Sequence, residues 1–191
     1  MNDLAIFETF QTIPSMPFIV SRPKKSKSSI LTDEAREAIS AGIIPNLEPV
    51  CSELMRIFFM ETGTINATRF LPVLQRLDFR DPQTFSRFEK GGVKSYVLVL
   101  NKYLKVVLIR WEPGHYGSVH GHASGGCVFK VLQGQLEERR YAPVIDGELV
   151  SVSQYRTGSM TYLDDHMAYH AVGNVSRRYA YSLHVYTPGK G

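Results

Sequence analysis

Apolar residues recur at two different periods along this chain, and the change falls near its middle. In the first half Leu47, Val50, Leu54, Ile57 and Phe58 return every three or four residues, which predicts an amphipathic helix ending near Gly63. Phe70, Leu71, Leu74 and Leu77 predict a second helix, interrupted or kinked near Pro72, and Phe85 with Phe88 a short helical turn before Gly91 and Gly92. Upstream, Thr32 stands before Asp33, Glu34 and Ala35 as an N-cap and acidic first turn, and Gly42 supplies a stop, so a further short helix is expected there.

After Gly92 the period shortens to that of strands. β-branched and aromatic runs cover 96–100, 104–111, 118–122, 127–132, 135–142, 149–154, 159–163, 170–172 and 180–187. Asn101-Lys102, Gln133-Gly134 and Asp146-Gly147 read as turns between them. The fold class predicted is mainly β, a small barrel or jelly-roll sandwich preceded by several α-helices. Residues 1–30, with Pro14, Pro17 and Pro23, read as an arm; 31–191 read as one domain, helical over 31–92 and a β-barrel over 93–191.

Composition narrows the function classes. With 191 residues, 43% hydrophobic and 21% charged, the chain suits one soluble globular domain. Its formal charge of +4 comes from 22 basic and 18 acidic residues that are interspersed. The basic run Lys24, Lys25 and Lys27 has no interleaved aromatics, so it reads as a solvated linker and no nucleic-acid partner is expected. Cys51 and Cys127 are too few for a disulfide framework, and no apolar run is long enough for a membrane span. The first ten residues carry Asp3 and Glu8 and no basic n-region, unlike a secretory signal. A monomer in a reducing cytoplasm, without a membrane partner, is the expectation.

The sharpest chemical signal is His120-Gly121-His122. Two histidines one residue apart on a strand point the same way, so both imidazoles can reach one ion. His170 is the best candidate for a third donor, and three neutral imidazoles suit iron, zinc, copper or nickel. On the last predicted strand Ser182, His184 and Tyr186 share a face and read as a relay of three inward polar groups.

Spacing makes the signal specific. Five residues separate Gly114 from His120, four separate His122 from Cys127, and six separate Cys127 from Gly134. That is the pattern of the first cupin motif, with Cys127 replacing its usual glutamate. Gly158, His170 and Asn174 resemble the second motif in looser form. The cysteine substitution, the segment from Trp111 to His122, Val131-Leu-Gln-Gly-Gln-Leu, His170-Ala-Val-Gly-Asn-Val-Ser and Ser182-Leu-His-Val-Tyr-Thr-Pro together resemble the cysteine dioxygenase type I family of cupin-fold thiol dioxygenases. The likeness is clear from Trp111 to Pro188.

The resemblance implies an enzyme of cysteine metabolism that binds Fe(II) through His120, His122 and His170. On that resemblance it would oxidise a small thiol, L-cysteine or a related mercapto acid, with O2 to the sulfinic acid. It also implies a thioether cross-link between Cys127 and Tyr186, with His184 and Ser182 behind the tyrosine. One feature departs from the family: the arginine that grips the substrate carboxylate falls at Lys94 or Ser95, and lysine lacks the planar fork of arginine. A different thiol, or recognition by Arg69 or Arg110, is therefore open. Two other functions compete with this one: a non-catalytic metal- or ligand-binding cupin, and a cupin enzyme acting on a non-thiol substrate.

Overall fold

The computed structural model describes residues 47–60, 66–81, 83–86, 94–100, 104–122 and 125–187. The expected arm over 1–30, the helix beginning at Thr32, the turn at Asn101-Lys102, and Gly63, Phe88, Gly91 and Gly92 lie outside these residues.

The first described helix, α1 (Glu48–Met60), buries the described part of the stripe its period predicts, the Phe58 side chain lying outside the described residues. Leu47, Cys51, Leu54 and Met55 are buried, while Val50 and Ile57 pack on its shoulders. The second apolar stripe divides in two: a 3-10 turn, Ala67–Phe70, capped by the Asn66 side chain on the Thr68 amide, leads into α2 (Leu71–Arg76). Pro72 therefore starts α2 instead of kinking a longer helix, because its missing N–H falls where a first-turn amide has no partner. A helical turn over 83–86 is capped by Asp81, whose carboxylate accepts from the Gln83 and Thr84 amides. That turn places the Phe85 ring on Tyr181, centroids 4.0 Å apart.

Among the described residues eight strands follow: β1 (Ser95–Leu100), β2 (Lys105–Trp111), β3 (Cys127–Gln133), β4 (Gln135–Tyr141), β5 (Leu149–Arg156), β6 (Met160–Leu163), β7 (Tyr169–Gly173) and β8 (Ala180–Tyr186). They form a five-stranded sheet in the order β1-β2-β8-β3-β6 and a three-stranded sheet in the order β5-β4-β7. Every pairing is antiparallel. This is the expected mainly β cupin sandwich preceded by helices. The Gln133-Gly134 and Asp146-Gly147 turns both form, with positive φ at Gly134 (86°) and at Asp146 (53°).

Strand alternation sorts the side chains into two cores. Val106, Leu108, Val128, Leu183 and Val185 face the helices. Val107, Ile109, Phe129, Val131 and Ala180 face the space between the sheets, where Leu136 and Val172 meet them from the smaller sheet. Both faces of β2, β3 and β8 are thus covered, which is why these strands read as nearly continuous apolar runs. Lys130 is an exception on the helical side: its Nζ donates to the carbonyls of Leu74 at 2.7 Å and Leu77 at 2.5 Å, and so anchors the end of α2 to the sheet.

The expected strand over 118–122 is not a regular one. Residues 112–122 run beside β7 as an irregular segment joined at two bridges, Tyr116 to Gly173 and His120 to His170. Tyr116 packs so closely on Gly173 that a Cβ there would lie 2.3 Å from its ring. Pro113 and Gly114, the latter at φ 73°, break the ladder and let the segment cross the mouth of the sandwich. No described helix is long and apolar enough to cross a membrane.

Candidate metal centre

The bridge between His120 and His170 brings the first and third candidate ligands together. Each backbone amide donates to the other's carbonyl at 2.9 Å, and His122 lies two residues further along the same segment. The backbone of His122 donates to Asp165 Oδ1. A side chain at position 121 would meet Asp165 Oδ1 at 2.4 Å and the Tyr169 ring at 2.9 Å, so glycine is needed between the two histidines.

The three imidazoles converge edge-on. Nε2 of His170 lies 3.0 Å from Nε2 of His122 and 3.3 Å from Nε2 of His120. All three ligand atoms lie within 4.8 Å of one another. The opposite nitrogens of two of the rings face acceptors: His120 Nδ1 is 3.0 Å from the Ser118 carbonyl, and His170 Nδ1 is 2.7 Å from Glu138 Oε1. A nitrogen facing an acceptor carries the proton, so both rings present an Nε2 lone pair to the centre. Burial and the adjacent His170 push the His120 pKa down to about 4, and burial pushes that of His122 lower still. Lone pairs of neutral imidazoles crowded to this spacing repel one another unless a cation lies between them. The donor set therefore fits a late transition metal, iron included.

Next to this triad stand the polar residues of β8. Trp111 Nε1 donates to Ser182 Oγ at 2.8 Å, so the serine hydroxyl proton is directed to His184 Nε2, also at 2.8 Å. His184 Nδ1 is then left facing the Tyr186 hydroxyl at 3.4 Å and Cys127 Sγ at 4.0 Å. Burial takes His184 well below the ordinary histidine range. Burial and the adjacent Cys127 take Tyr186 well above the ordinary tyrosine range, and burial raises the Cys127 thiol. The Tyr186 ring lies 5.5 Å from that of His122, so relay and triad border the same cleft. That cleft holds about 270 Å³ including its open mouth; Ile109, Trp111 and Val172 form its apolar walls.

The structure brings together His120, His122, His170, Cys127, Ser182, His184 and Tyr186. It does not bring Lys94 to them. Lys94 is aligned with Arg110, whose amide donates to its carbonyl, and its Nζ lies 3.7 Å from Glu112. Arg110 binds the same carboxylate at 3.1 Å and packs over the Tyr179 ring. Both basic residues belong to the helical face of the sheet, and Arg69 is exposed on the 3-10 turn. Ser95 is paired with Ile109 and so shares the face that lines the cleft.

Three residues at this site were not singled out from the sequence. Trp111 is the root of the β8 hydrogen-bond chain. Lys105 is paired with Tyr186 across β2 and β8, and its Nζ lies 5.8 Å from the Tyr186 ring centre. Glu138 is fully buried behind His170. Its signal lay in β4, where strand alternation puts Glu138 on the same inward face as Leu136. Burial alone would raise the Glu138 carboxyl, but the bond from His170 and the Arg140 charge outweigh it and hold the pKa below the ordinary carboxylate range.

The chain is similar to several known proteins. Among solved structures the chain is similar to a protein from Thermus thermophilus, at 20% identity and a TM-score of 0.45 over 59% of this chain and 98% of that one. It is also similar to a cupin family protein with a double-stranded β-helix fold from Methanocaldococcus jannaschii, at 16% identity and a TM-score of 0.41 over 50% of this chain and 80% of that one. Among characterised sequences it is 30% identical to cysteine dioxygenase type 1 of Danio rerio over 153 residues, 74% of each chain. It is 31% identical to the Homo sapiens enzyme of the same name over 117 residues, 56% of this chain and 58% of that one. The model of the family described as cysteine dioxygenase type I matches residues 48–190, a stretch that takes in both halves of the histidine triad and the whole of β8. On that match the chain belongs to the cysteine dioxygenase type I family.

Proposed function

We propose that this protein is a non-haem iron dioxygenase that converts a small mercapto acid, L-cysteine or a close relative, into its sulfinic acid. The observation that carries this reading is the contact between two groups of residues: a triad of neutral imidazoles and, beside it, Cys127 and Tyr186 with the Ser182-His184 chain behind them. The reaction balances as one thiol plus one O2 giving one sulfinic acid, with sulfur the atom oxidised and both oxygen atoms retained. Fe(II) held by His120, His122 and His170 would supply a site where thiolate binds and dioxygen is reduced.

The remaining work falls to the chain itself. Ile109, Trp111 and Val172 keep bulk water from the sulfur. Ser182 and Trp111 fix the His184 ring, which directs its Nδ1 side to Tyr186 and so holds the phenol hydroxyl toward the cleft. Tyr186 can then donate a hydrogen bond to substrate or to oxygen as charge builds on it. Beside the Tyr186 ring, Lys105 provides a positive charge for an acid group, and Ser95 adds a hydroxyl on the same face.

The test is anaerobic reconstitution with Fe(II), followed by oxygen uptake and product mass with L-cysteine, 3-mercaptopropionate, cysteamine and mercaptosuccinate in parallel. Gain of both oxygen atoms by one thiol supports the reading and names the substrate. If iron is bound yet none of these thiols consumes oxygen, the protein is a metal-binding cupin of another kind.

A further inference from the structure

The three imidazoles are not held alike. His120 leans on a neutral backbone carbonyl, that of Ser118. His170 instead leans on a buried carboxylate that is itself tightly braced. Glu138 Oε1 faces His170 Nδ1 at 2.7 Å, while its Oε2 accepts from Arg140 Nε at 2.9 Å and from the Tyr155 hydroxyl at 3.0 Å. Arg140 reaches on to Thr161 Oγ1 at 2.7 Å and to the Tyr162 carbonyl at 3.1 Å. Groups from β4, β5 and β7 thus converge on the Glu138 carboxylate, and β6 in turn braces Arg140. In the register of β4 with β7, Arg140 is the residue opposite His170, so Glu138 meets the ring on the diagonal.

A carboxylate with no exposure persists only where its charge is compensated and its oxygens are bonded. Here the compensation comes from Arg140, which leaves the oxygen on His170 free to polarise the ring. We propose that Glu138 is the positioning residue of the metal centre: it keeps the His170 proton on Nδ1 and makes His170 Nε2 the strongest donor of the three. Arg140 and Tyr155 hold the carboxylate charged and in place. A carboxylate behind a metal-ligating histidine fixes ring orientation and raises ligand basicity, which is worth about 10- to 100-fold in metal affinity.

The proposal rests on the reading of the three histidines as a metal site, and the experiment separates the two. Wild type, Glu138→Gln, Glu138→Ala and Glu137→Gln are prepared metal-free and titrated anaerobically with Fe(II), and with Co(II), whose visible absorption reports ligand geometry. Glu137 is the control because its carboxylate bonds Tyr116 and Arg139 on the opposite face of β4. Glu138→Gln keeps the shape and an acceptor oxygen but loses the charge, and should bind about tenfold more weakly. Glu138→Ala should approach 100-fold, with shifted Co(II) bands, while Glu137→Gln should match wild type. A residue that only held the strands together would lower the melting temperature of the metal-free protein without changing the affinity of molecules that remain folded. Should Glu138→Ala fail to fold, Glu138→Gln carries the test. Equal affinity and identical spectra in the folded Glu138 variants and wild type would overturn the role of Glu138 alone. Failure of wild type to bind either metal would overturn the histidine reading and this proposal with it.

Discussion

Cys127 on β3 and Tyr186 on β8 are direct partners across the sheet, on the face turned toward the histidines. Each is the other's neighbour electrostatically as well: the thiol and the phenol both enter the shift of the other's pKa. Joining Sγ to the ring carbon beside the hydroxyl would remove a hydrogen from each residue; with one dioxygen as the oxidant, the two hydrogens and two electrons leave as hydrogen peroxide. The purified active protein is therefore expected to contain a fraction with an intact mass lower by those hydrogens and a faster band on a denaturing gel. Cys127→Ser and Tyr186→Phe should each remove that fraction. Its persistence in either variant would assign the mass loss to another site.

Replacing a metal ligand should cost more than replacing the residue behind it. His122→Ala removes one of the three converging Nε2 atoms, so its iron affinity should fall by more than the roughly 10- to 100-fold expected behind a ligand. Chelation of wild type should stop thiol-dependent oxygen uptake, and Fe(II) should restore it. Metal analysis after dialysis provides the first measurement and an oxygen electrode the second. An iron-free variant that still turned over would exclude the triad from the chemistry.

His184 should make the metal-free protein sensitive to acid. Its ring is buried, stacked on Phe129 at 4.8 Å, and burial keeps its folded pKa well below the ordinary value of 6.5. As pH falls through 6.5 the unfolded chain takes up a proton that the folded protein refuses, so stability falls with pH, by about 1.4 kcal/mol per pH unit for one such group. His120 adds a similar slope from its ordinary value of 6.5 down to its folded value of about 4. Denaturant midpoints measured from about pH 7 to about pH 5 should therefore drop, and less steeply in His184→Gln, by roughly one proton's share. An unchanged slope in that variant would mean that the folded protein does not hold His184 neutral.

Lys130 carries no expected role in the chemistry, and its loss should appear in stability alone. Its buried ammonium bonds carbonyls at the end of α2, and methionine in its place would take this donor from the Leu77 carbonyl and leave the Leu74 carbonyl with the Leu77 amide alone. The expected cost is about 1–3 kcal/mol, read from chemical denaturation. Iron content of the folded Lys130→Met protein should equal that of wild type, because position 130 points to the helical layer.

Why some of this was legible in the sequence and some was not comes down to what local spacing determines. Period two places Ser182, His184 and Tyr186 on one face whatever lies beside them, and the motif spacing marks the segment whose bridge to β7 brings the histidines together. The face on which Lys94 or Ser95 falls depends instead on the register of β1 against β2, and a slip of one residue exchanges them. The observed pairing of Ser95 with Ile109 turns Ser95 inward and Lys94 to Glu112. Glu138 was hidden for a related reason: a charged residue in a strand reads as solvent-facing until its neighbours are known, and here they are His170, Arg140 and Tyr155. The helical stripe over 47–57 was readable, whereas the capped 3-10 turn ahead of Pro72 depends on the Asn66 side chain.

The same register supplies a cation in the place where Lys94 was expected to act. Lys105, Tyr186 and Cys127 occupy one rung across β2, β8 and β3, with the Lys105 ammonium 5.8 Å from the Tyr186 ring. Burial lowers its pKa from the ordinary lysine value, with Cys127 opposing that shift, and a substrate carboxylate arriving near Tyr186 would favour the charged form further. Lys105→Met should therefore raise KM for 3-mercaptopropionate by about tenfold or more, the scale of one lost charge-assisted hydrogen bond. KM for cysteamine, which has no carboxylate, should rise far less, and Lys105→Arg should recover most of the loss because it keeps the charge. The decisive quantity is the ratio of the two KM values across the variants. A ratio that stays constant while both rise together would mean that the lysine stem only packs against Tyr186, and would leave Ser95 as the inward polar group to examine for acid recognition.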